Sequence, residues 1–254
     1  MILLLLSLSS TIVAAELRLG GTEWPPYMGS ELKGHGIAAI MVTEIFKRAG
    51  HKVRFVFFPW QRTQLYVRDG KLAGLAIAWY TQERTRAMTY SHPYLQTAIV
   101  LIKRREDPFV YRRLEDLYGK NIGVIIGYGY LKKIESEKIR KSFVSSLQQN
   151  LLKLIRKRID LTIEEKLNAL NVMSQMPDET RRSLAILERP LEVKRLHITI
   201  SKNIPNADQL LQDFNDALVA MLEDGSYHRL IGNFRHRPLP VDLPLLPPSP
   251  ESHH

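Results

Sequence analysis

Residues 36–58 read GIAAIMVTEIFKRAGHKVRFVFF, and they predict a helix that leads into a strand. The apolar side chains of the first half recur three and four positions apart, so they share one face of a helix. These residues are Ile37, Ile40, Met41, Ile45 and Phe46. Gly50 ends the helix, and the β-branched and aromatic residues 52–58 predict the strand. Helix and strand in direct succession are typical of an α/β protein.

The neighbouring segments continue this alternation on both sides. Residues 16–21 are strand-like and precede the helix, while residues 59–70 predict a short second helix that ends at Gly70. Residues 72–79, LAGLAIAW, predict a buried strand. The order strand, helix, strand, helix, strand implies a mainly parallel sheet covered by helices.

A second series of elements begins at Leu114. Residues 121–126 predict a strand, helical stretches follow from about Leu131, and a short strand is expected near residues 159–163.

The last part of the chain contains the clearest helix. A further strand starts at Leu196, and residues 207–223 repeat apolar side chains at helical spacing before Gly225 stops them. The six prolines of residues 237–254 predict an extended, disordered tail.

The N-terminal residues 1–15, MILLLLSLSSTIVAA, are an apolar stretch that ends in small side chains. This pattern predicts a secretory signal peptide cleaved before Glu16, and so a periplasmic protein. A buried helix or a membrane anchor is the alternative. The sequence has no cysteine, which excludes disulfides and thiolate metal sites.

The composition favours a globular protein with a basic face. The chain has 254 residues, 44% hydrophobic and 24% charged, and a net charge of +10. Residues 103–195 hold 21 Lys and Arg against 13 Asp and Glu, a difference of +8. Such a face attracts nucleic acid, anionic lipid or an anionic solute, or is simply solvated. Export argues against nucleic acid. Scattered histidines without metal-ligand spacing predict neither a metal nor a cofactor.

A series of short motifs, in order and at their spacing, resembles the polar-amino-acid-binding family of bacterial extracellular solute-binding proteins of ABC transporters. The resemblance covers about residues 16–234. The motifs are Trp24-Pro25-Pro26-Tyr27, Gly34-His35-Gly36, Pro59-Trp60, Thr81-Gln82-Glu83-Arg84, Tyr90-Ser91-His92-Pro93-Tyr94, Leu114 to Gly127, Arg158-Ile159-Asp160 and Asp224-Gly225-Ser226-Tyr227.

The resemblance implies the two-lobed α/β fold of type II periplasmic binding proteins, each lobe a mainly parallel sheet flanked by helices. Lobe one would comprise residues 16–102 and 196–236, and lobe two residues 103–195. Two hinge crossovers are expected near residues 101–105 and 191–197. Ligand binding in the cleft would favour a closed form.

Arg84 is the first candidate for ligand binding. It follows the predicted strand of residues 72–79, and Thr81 lies three residues earlier, where loops of α/β sheets bind ligands. The resemblance implies that Arg84 pairs with a ligand α-carboxylate, which a guanidinium matches bidentately. A surface arginine is the alternative.

The three tryptophans of the chain, Trp24, Trp60 and Trp79, all fall beside predicted cleft loops, together with Tyr27. The resemblance implies that Trp24 stacks on the ligand and Trp60 contacts it, whereas Trp79 replaces a small polar residue. We expect an aromatic or bulky ligand. The alternative is that Trp79 plugs the pocket and favours a smaller solute.

Lobe two contributes two further candidate groups. Gly127, Tyr128 and Gly129 follow a strand, and the resemblance implies that their backbone N–H groups hold the ligand carboxylate. A simple turn is the alternative. Glu165 matches the position of the family's aspartate for the ligand amino group, with Glu164 beside it. A solvated Glu-Glu pair that starts a helix is equally compatible with the pattern.

The resemblance implies a monomer that captures a small amino-acid-like or carboxylate solute and delivers it to an inner-membrane ABC permease, without enzyme activity. One alternative is a periplasmic cyclohexadienyl dehydratase on the same fold, with Glu165 as general acid on prephenate or arogenate. Another is a stand-alone sensor module that presents its ligand to a membrane receptor.

Overall fold

The computed structural model describes residues 16–126, 128, 134 and 136–234. The predicted signal peptide, the proline-rich tail from residue 237, and Gly127 and Gly129 lie outside the described residues.

Ten strands and seven α-helices alternate along the described chain. The strands are β1 (Leu17–Gly21), β2 (Val53–Phe57), β3 (Gly74–Trp79), β4 (Met88–Tyr90), β5 (Leu95–Arg104), β6 (Asn121–Ile125), β7 (Arg140–Val144), β8 (Leu161–Glu165), β9 (Leu184–Ile186) and β10 (Glu192–Ser201). The helices are α1 (Ile37–Arg48), α2 (Trp60–Arg68), α3 (Leu147–Ile155), α4 (Lys166–Ser174), α5 (Asp178–Arg182), α6 (Ala207–Glu223) and α7 (Ser226–Gly232).

The strands form one hydrogen-bonded path with the order β2-β1-β3-β10-β5-β8-β6-β7, while β4 pairs with β10 and β9 with β5. Strand β1 is parallel to β2 and β3, and β6 is parallel to β7 and β8. The long strands β5 and β10 run antiparallel to each other and to the strands on either side. Each half is therefore a mainly parallel sheet bordered by a crossing strand, as predicted.

We call the half with β1–β4, α1, α2, α6 and α7 lobe one, and the half with β6–β9 and α3–α5 lobe two. The chain crosses between them where β5 and β10 pair, residues 95–99 with residues 192–196. The second of these segments overlaps its predicted position. The first lies before residues 101–105, because β5 pairs with β8 of lobe two from Ile99 onward. The lobe bounds themselves stay a prediction.

The apolar face of α1 packs in the core of lobe one. Ile37, Met41, Ile45 and Phe46 are buried there, and the Phe46 ring lies 5.0 Å from the ring of Phe214 on α6. Helix α6 has the bounds that the sequence predicts. The same core cluster continues into lobe two through β6 and β8, where a second cluster lies under α3 and α4 with Leu151, Leu154, Ala169 and Val172.

Several segments differ from the sequence prediction, which includes no strand at the positions of β4, β5 or β9. Residues 140–144 form β7 rather than part of the helical region expected from Leu131. The segment RKSFV begins with two charged residues, so its sequence does not predict a strand. In the structure it pairs parallel with all five residues of β6. Strand β10 also starts at Glu192, four residues before its predicted start.

Gly74 lets β3 approach β10 closely. A Cβ atom at this position would lie 1.8 Å from the carbonyl oxygen of Thr199, beside the irregular pairing between His197 and Thr199. Only glycine fits such an approach. The close pairing fixes β3, and β3 ends at Trp79.

No helix among the described residues is long and apolar enough to cross a membrane.

Candidate ligand-binding cleft

A small cavity lies between the lobes at the carboxyl end of β3. It brings together five residues that the sequence analysis selected, which are Trp24, Trp60, Trp79, Arg84 and Tyr128. Thr22, Ile77, Ala78 and Leu196 complete the described lining. The cavity volume is about 70 Å³. Tyr27, Thr81 and Glu165 lie outside this lining, and the ligand-binding roles of all these residues stay predictions.

Arg84 is half-buried at the edge of the cavity. Its Nε donates a hydrogen bond to Oε1 of Gln64 at 2.7 Å, and its Nη1 donates to the backbone oxygen of Trp79 at 2.8 Å. The guanidinium also lies over the Trp60 ring, 5.0 Å from its centroid. Within the described part of the chain, no carboxylate forms an ion pair with this side chain. The protein therefore orients the cation without neutralising it.

Trp79 forms a fixed wall of the cavity. Its ring is only 9% exposed, and its Nε1 donates to Oγ1 of Thr97 at 3.1 Å. The rings of Trp24 and Tyr128 meet it edge-on, at 5.4 and 6.0 Å. A cavity that holds benzene has a volume of about 150 Å³, roughly twice the volume here. The geometry fits the alternative in which Trp79 narrows the pocket, and an aromatic ligand stays an untested prediction.

Trp24 and Tyr27 connect lobe one with lobe two. Their rings stack with centroids 4.9 Å apart, in a loop that contains a cis peptide bond between Pro25 and Pro26. The buried hydroxyl of Tyr27 donates to Oε1 of Glu165 at 3.0 Å. This hydrogen bond spans the cleft, because Glu165 ends β8 of lobe two.

Glu164 and Glu165 are each 1% exposed, so the solvated Glu-Glu pair is wrong. Glu165 does start α4, since its Oε2 accepts from the Asn168 backbone N–H at 2.8 Å. Oε1 of Glu164 accepts from the backbone N–H of Glu165, also at 2.8 Å. Strand β8 is buried along its whole length, and its last two residues bring both side chains to the interface between the lobes, where water cannot reach them.

Burial changes the ionisation of both acids. It raises the pKa of Glu164 from 4.5 to about 7, and the pKa of Glu165 from 4.5 to about 8. The hydrogen bonds to Glu165 oppose this rise, and the charge of Glu164 adds to it. The Trp24 indole N–H also lowers the pKa of Glu164, although it forms no hydrogen bond of normal geometry with a described residue. Glu165 is therefore mostly protonated at neutral pH.

Besides the lining residues Thr22, Ile77, Ala78 and Leu196, the sequence did not single out two residues that contact the candidate site. Gln64 lies one helical turn after Trp60 on α2, and this spacing could have revealed a shared face. Lys194 lies on β10, with its Nζ 5.3 Å from the centroid of the Trp79 ring. Only the pairing of β10 with β3 brings Lys194 there, and the sequence does not show that pairing.

Thr81 is half-buried, and its backbone N–H donates to the Tyr90 hydroxyl at 3.2 Å.

A second cavity of about 320 Å³ lies on the other side of Trp24 and Tyr128. Its wall in lobe two consists mainly of hydroxyl and carboxamide side chains, which are Ser145, Ser146, Gln148, Asn168, Asn171 and Gln175. Among the described residues, no group of three or more His, Asp or Glu side chains is placed to hold a metal ion.

Two α/β lobes joined by two crossing strands, with a cleft between them that exposes an arginine among aromatic rings, define the class of two-lobed solute-binding proteins. The chain belongs to the family described as bacterial extracellular solute-binding proteins, family 3, which matches residues 17–235. The resemblance inferred from the short motifs is thereby confirmed.

Relatives of known name support this family and fold. The chain is 25% identical over 164 residues to the ABC transporter arginine-binding protein 1 of Escherichia coli (strain K12), and the match spans 64% of each chain. A histidine kinase sensor domain with similarity to periplasmic binding proteins superposes with a TM-score of 0.75 at 18% identity, covering 90% of this chain and 99% of that one. An ancestral arginine-binding protein bound to arginine gives a TM-score of 0.70 at 23% identity, over 87% and 98%. These structures confirm the predicted periplasmic-binding-protein fold.

Proposed function

We propose that this protein captures a small amino-acid-like or carboxylate solute in the periplasm and delivers it to an inner-membrane ABC permease. Arg84 carries this proposal, because a half-buried guanidinium beside an aromatic cavity, with no carboxylate partner among the described residues, is suited to bind an anion. The relationship to an ABC transporter arginine-binding protein supports the transport role.

We further propose that the lobes close over the solute. The hydrogen bond from Tyr27 to Glu165 and the edge contact of Trp79 with Tyr128 both cross the cleft, so they can form only when the lobes approach. A solute held between the walls would add its own contacts to the closed form and shift the equilibrium toward it.

A thermal-shift screen against amino acids, small organic acids and peptides tests the proposal. A ligand at about 100 times its dissociation constant stabilises the folded state by about 2.7 kcal/mol. Small-angle scattering with that ligand should then show a smaller radius of gyration. If no compound raises the melting temperature, the proposed solute-binding function is wrong. An unchanged scattering profile at saturation contradicts closure alone.

A sensor module is a second candidate, which the histidine kinase sensor domain favours through its match over nearly its whole length. Ligand uptake by cells lacking the gene distinguishes the two functions. Uptake falls if the protein serves a permease, and it stays unchanged if the protein serves a receptor.

An enzymatic function has one observation in its favour. Glu165 has a pKa of about 8, so it offers a protonated carboxyl at neutral pH, as a general acid requires. Neither Glu165 nor Glu164 belongs to the described lining of the aromatic cavity, however, and we therefore propose a binding protein rather than a dehydratase. Incubation with prephenate decides the matter, because a dehydratase would release phenylpyruvate.

A further inference from the structure

The aromatic cavity has a positive electrostatic character. Arg84 is the one charged side chain among its described lining residues, and a guanidinium keeps its charge at every relevant pH. Its hydrogen-bond partners are the neutral Gln64 side chain and a backbone oxygen. No described residue in contact with Arg84 therefore cancels its charge, and the cavity attracts an anion.

A second cation lies against the ring of Trp79. The Nζ of Lys194 lies over the Trp79 ring and 3.8 Å from a carboxylate oxygen of Glu192. Burial lowers the pKa of Lys194, and the charge of Arg84 lowers it further, so the two cations interact. The pair of Lys194 and Glu192 is neutral as a unit. It leaves the positive charge of Arg84 uncompensated at the cavity.

Two buried carboxyl groups lie on lobe two near the cleft, and neither belongs to the described lining of the aromatic cavity. Both oxygens of Glu165 already accept hydrogen bonds, one from Tyr27 and one from the backbone of Asn168. Oε1 of Glu164 accepts from the backbone N–H of Glu165, whereas its Oε2 has no hydrogen-bond partner among the described residues. Burial raises the pKa of both groups, which removes much of the negative charge that would attract a cation.

The tryptophan rings also have one face each already covered. The guanidinium of Arg84 covers Trp60, Lys194 covers Trp79, and the Tyr27 ring stacks on Trp24. Aromatic rings can hold a cation by cation–π attraction, but here two of the three already hold one. An additional ammonium group would enter a cavity that repels it, and it would lose its water without meeting a carboxylate among the described lining residues.

We propose that the cleft selects carboxylates that lack an ammonium group, so that a carboxylate with a carbon group in place of the ammonium binds more tightly than the amino acid of the same shape, and arginine is rejected. This inference rests on the proposed solute-binding function and names its substrate class. It separates the protein from the arginine-binding relatives that it resembles in fold. Discrimination here arises from an uncompensated positive site, which penalises the wrong partner.

Pairs of the same shape, in which a carbon group replaces the ammonium group, test the proposal by calorimetry and thermal shift. Isobutyrate is compared with alanine, 3,3-dimethylbutanoate with glycine betaine, and 2-methyl-3-phenylpropanoate with phenylalanine, with arginine as a further probe. We expect the member without an ammonium group, in any pair that binds, to have an affinity higher by about tenfold or more, which corresponds to a difference of about 1.4 kcal/mol. Because three sizes are used, the result does not depend on how large a solute the cavity admits.

Two results are distinguishable. If alanine, glycine betaine, phenylalanine or arginine binds more tightly than the carboxylates without an ammonium group, the protein is a solute-binding protein but the charge selection is wrong. If no member of any pair and no compound of the wider screen binds, the proposed function itself is wrong and the inference is lost with it.

Discussion

On the lobe-one wall of the cleft Arg84 is half-buried and held by neutral hydrogen-bond partners, and it is the one charged side chain in the described lining of the aromatic cavity. On the lobe-two wall, outside that lining, Glu164 and Glu165 are each 1% exposed and shifted toward the neutral form. Both walls thus bring ionisable side chains to the same interface. They differ in whether the charge survives there.

The difference shows that the identity of a side chain does not determine its charge in a site. A guanidinium has a pKa above about 12, so partial burial orients it without discharging it. A carboxyl group has an ordinary pKa of 4.5, and burial moves it into the neutral range. An aligned acidic position can therefore lose the charge that made it a receptor for amino groups.

The largest expected effect concerns the rigid part of the lobe-one wall. Trp79→Ala should lower the free energy of unfolding by about 3–5 kcal/mol, because it removes a buried ring and leaves a cavity. Trp60→Ala is the control, since Trp60 is only half-buried, and it should cost less. Urea denaturation measures both. Equal losses would show that Trp79 is not the fixed wall described here. Trp79→Ala should also admit larger carboxylates than the wild type.

The next effect concerns the positive charge of Arg84. Arg84→Gln should weaken carboxylate binding by about 2–5 kcal/mol, because a charge-assisted contact is lost. Arg86→Gln is the matched control, being an exposed arginine of the same turn, and it should bind like the wild type. Isothermal titration measures the affinities, and circular dichroism checks that both variants are folded. If Arg84→Gln binds carboxylates with the affinity of the wild type, the charge of Arg84 does not contribute to binding, and the proposed difference between the two walls is wrong.

A pH titration tests the acids of the other wall. The folded-state pKa values of about 7 and about 8 lie above the ordinary value of 4.5, so the folded protein binds more protons than the unfolded chain. The free energy of unfolding should therefore fall as pH rises from about 5 to about 8. Glu165→Gln should flatten this dependence, whereas the exposed control Glu188→Gln should keep the wild-type slope. A wild-type protein with constant stability over this window would mean that the acids are not buried.

The smallest effect concerns the contact between the walls. Tyr27→Phe removes one hydrogen bond to Glu165, which should cost about 0.5–1.5 kcal/mol of stability. It should also raise the pKa of Glu165, because that bond lowers it. Tyr80→Phe, whose hydroxyl donates to Gln82 on the surface, is the control and should change stability less. The opposite ranking would show that the Tyr27 contact does not hold the lobes together.

The sequence predicts those parts of the fold whose periodicity is local. Helix α6 was predicted with its observed bounds because seven apolar residues repeat at helical spacing. Strand β7 is not predicted because it is stabilised by pairing with β6, and the sequence does not show which segments pair with each other. Long-range pairing, not local preference, decided that segment.

The candidate site divides in the same way. Arg84 and the tryptophans were selectable because each follows a recognisable strand or turn, and the structure brings them around one cavity. The state of Glu165 was not predictable, since it depends on how completely Tyr27 and the opposite lobe cover it. Lys194 was missed for the related reason that its contact with Trp79 arises from the pairing of two distant strands.

Leu196 has a mechanical consequence for the cleft. It lines the cavity, and it is also paired with Trp79 of β3 and with Leu95 of β5, in the two-stranded ribbon that joins the lobes. Any rotation of one lobe against the other must twist this ribbon, and the part of the cavity wall formed by Leu196 moves with it. A solute in contact with Leu196 would therefore resist the twisting of the ribbon. The angle between the lobes would then depend on the occupant even where lobe two does not touch it.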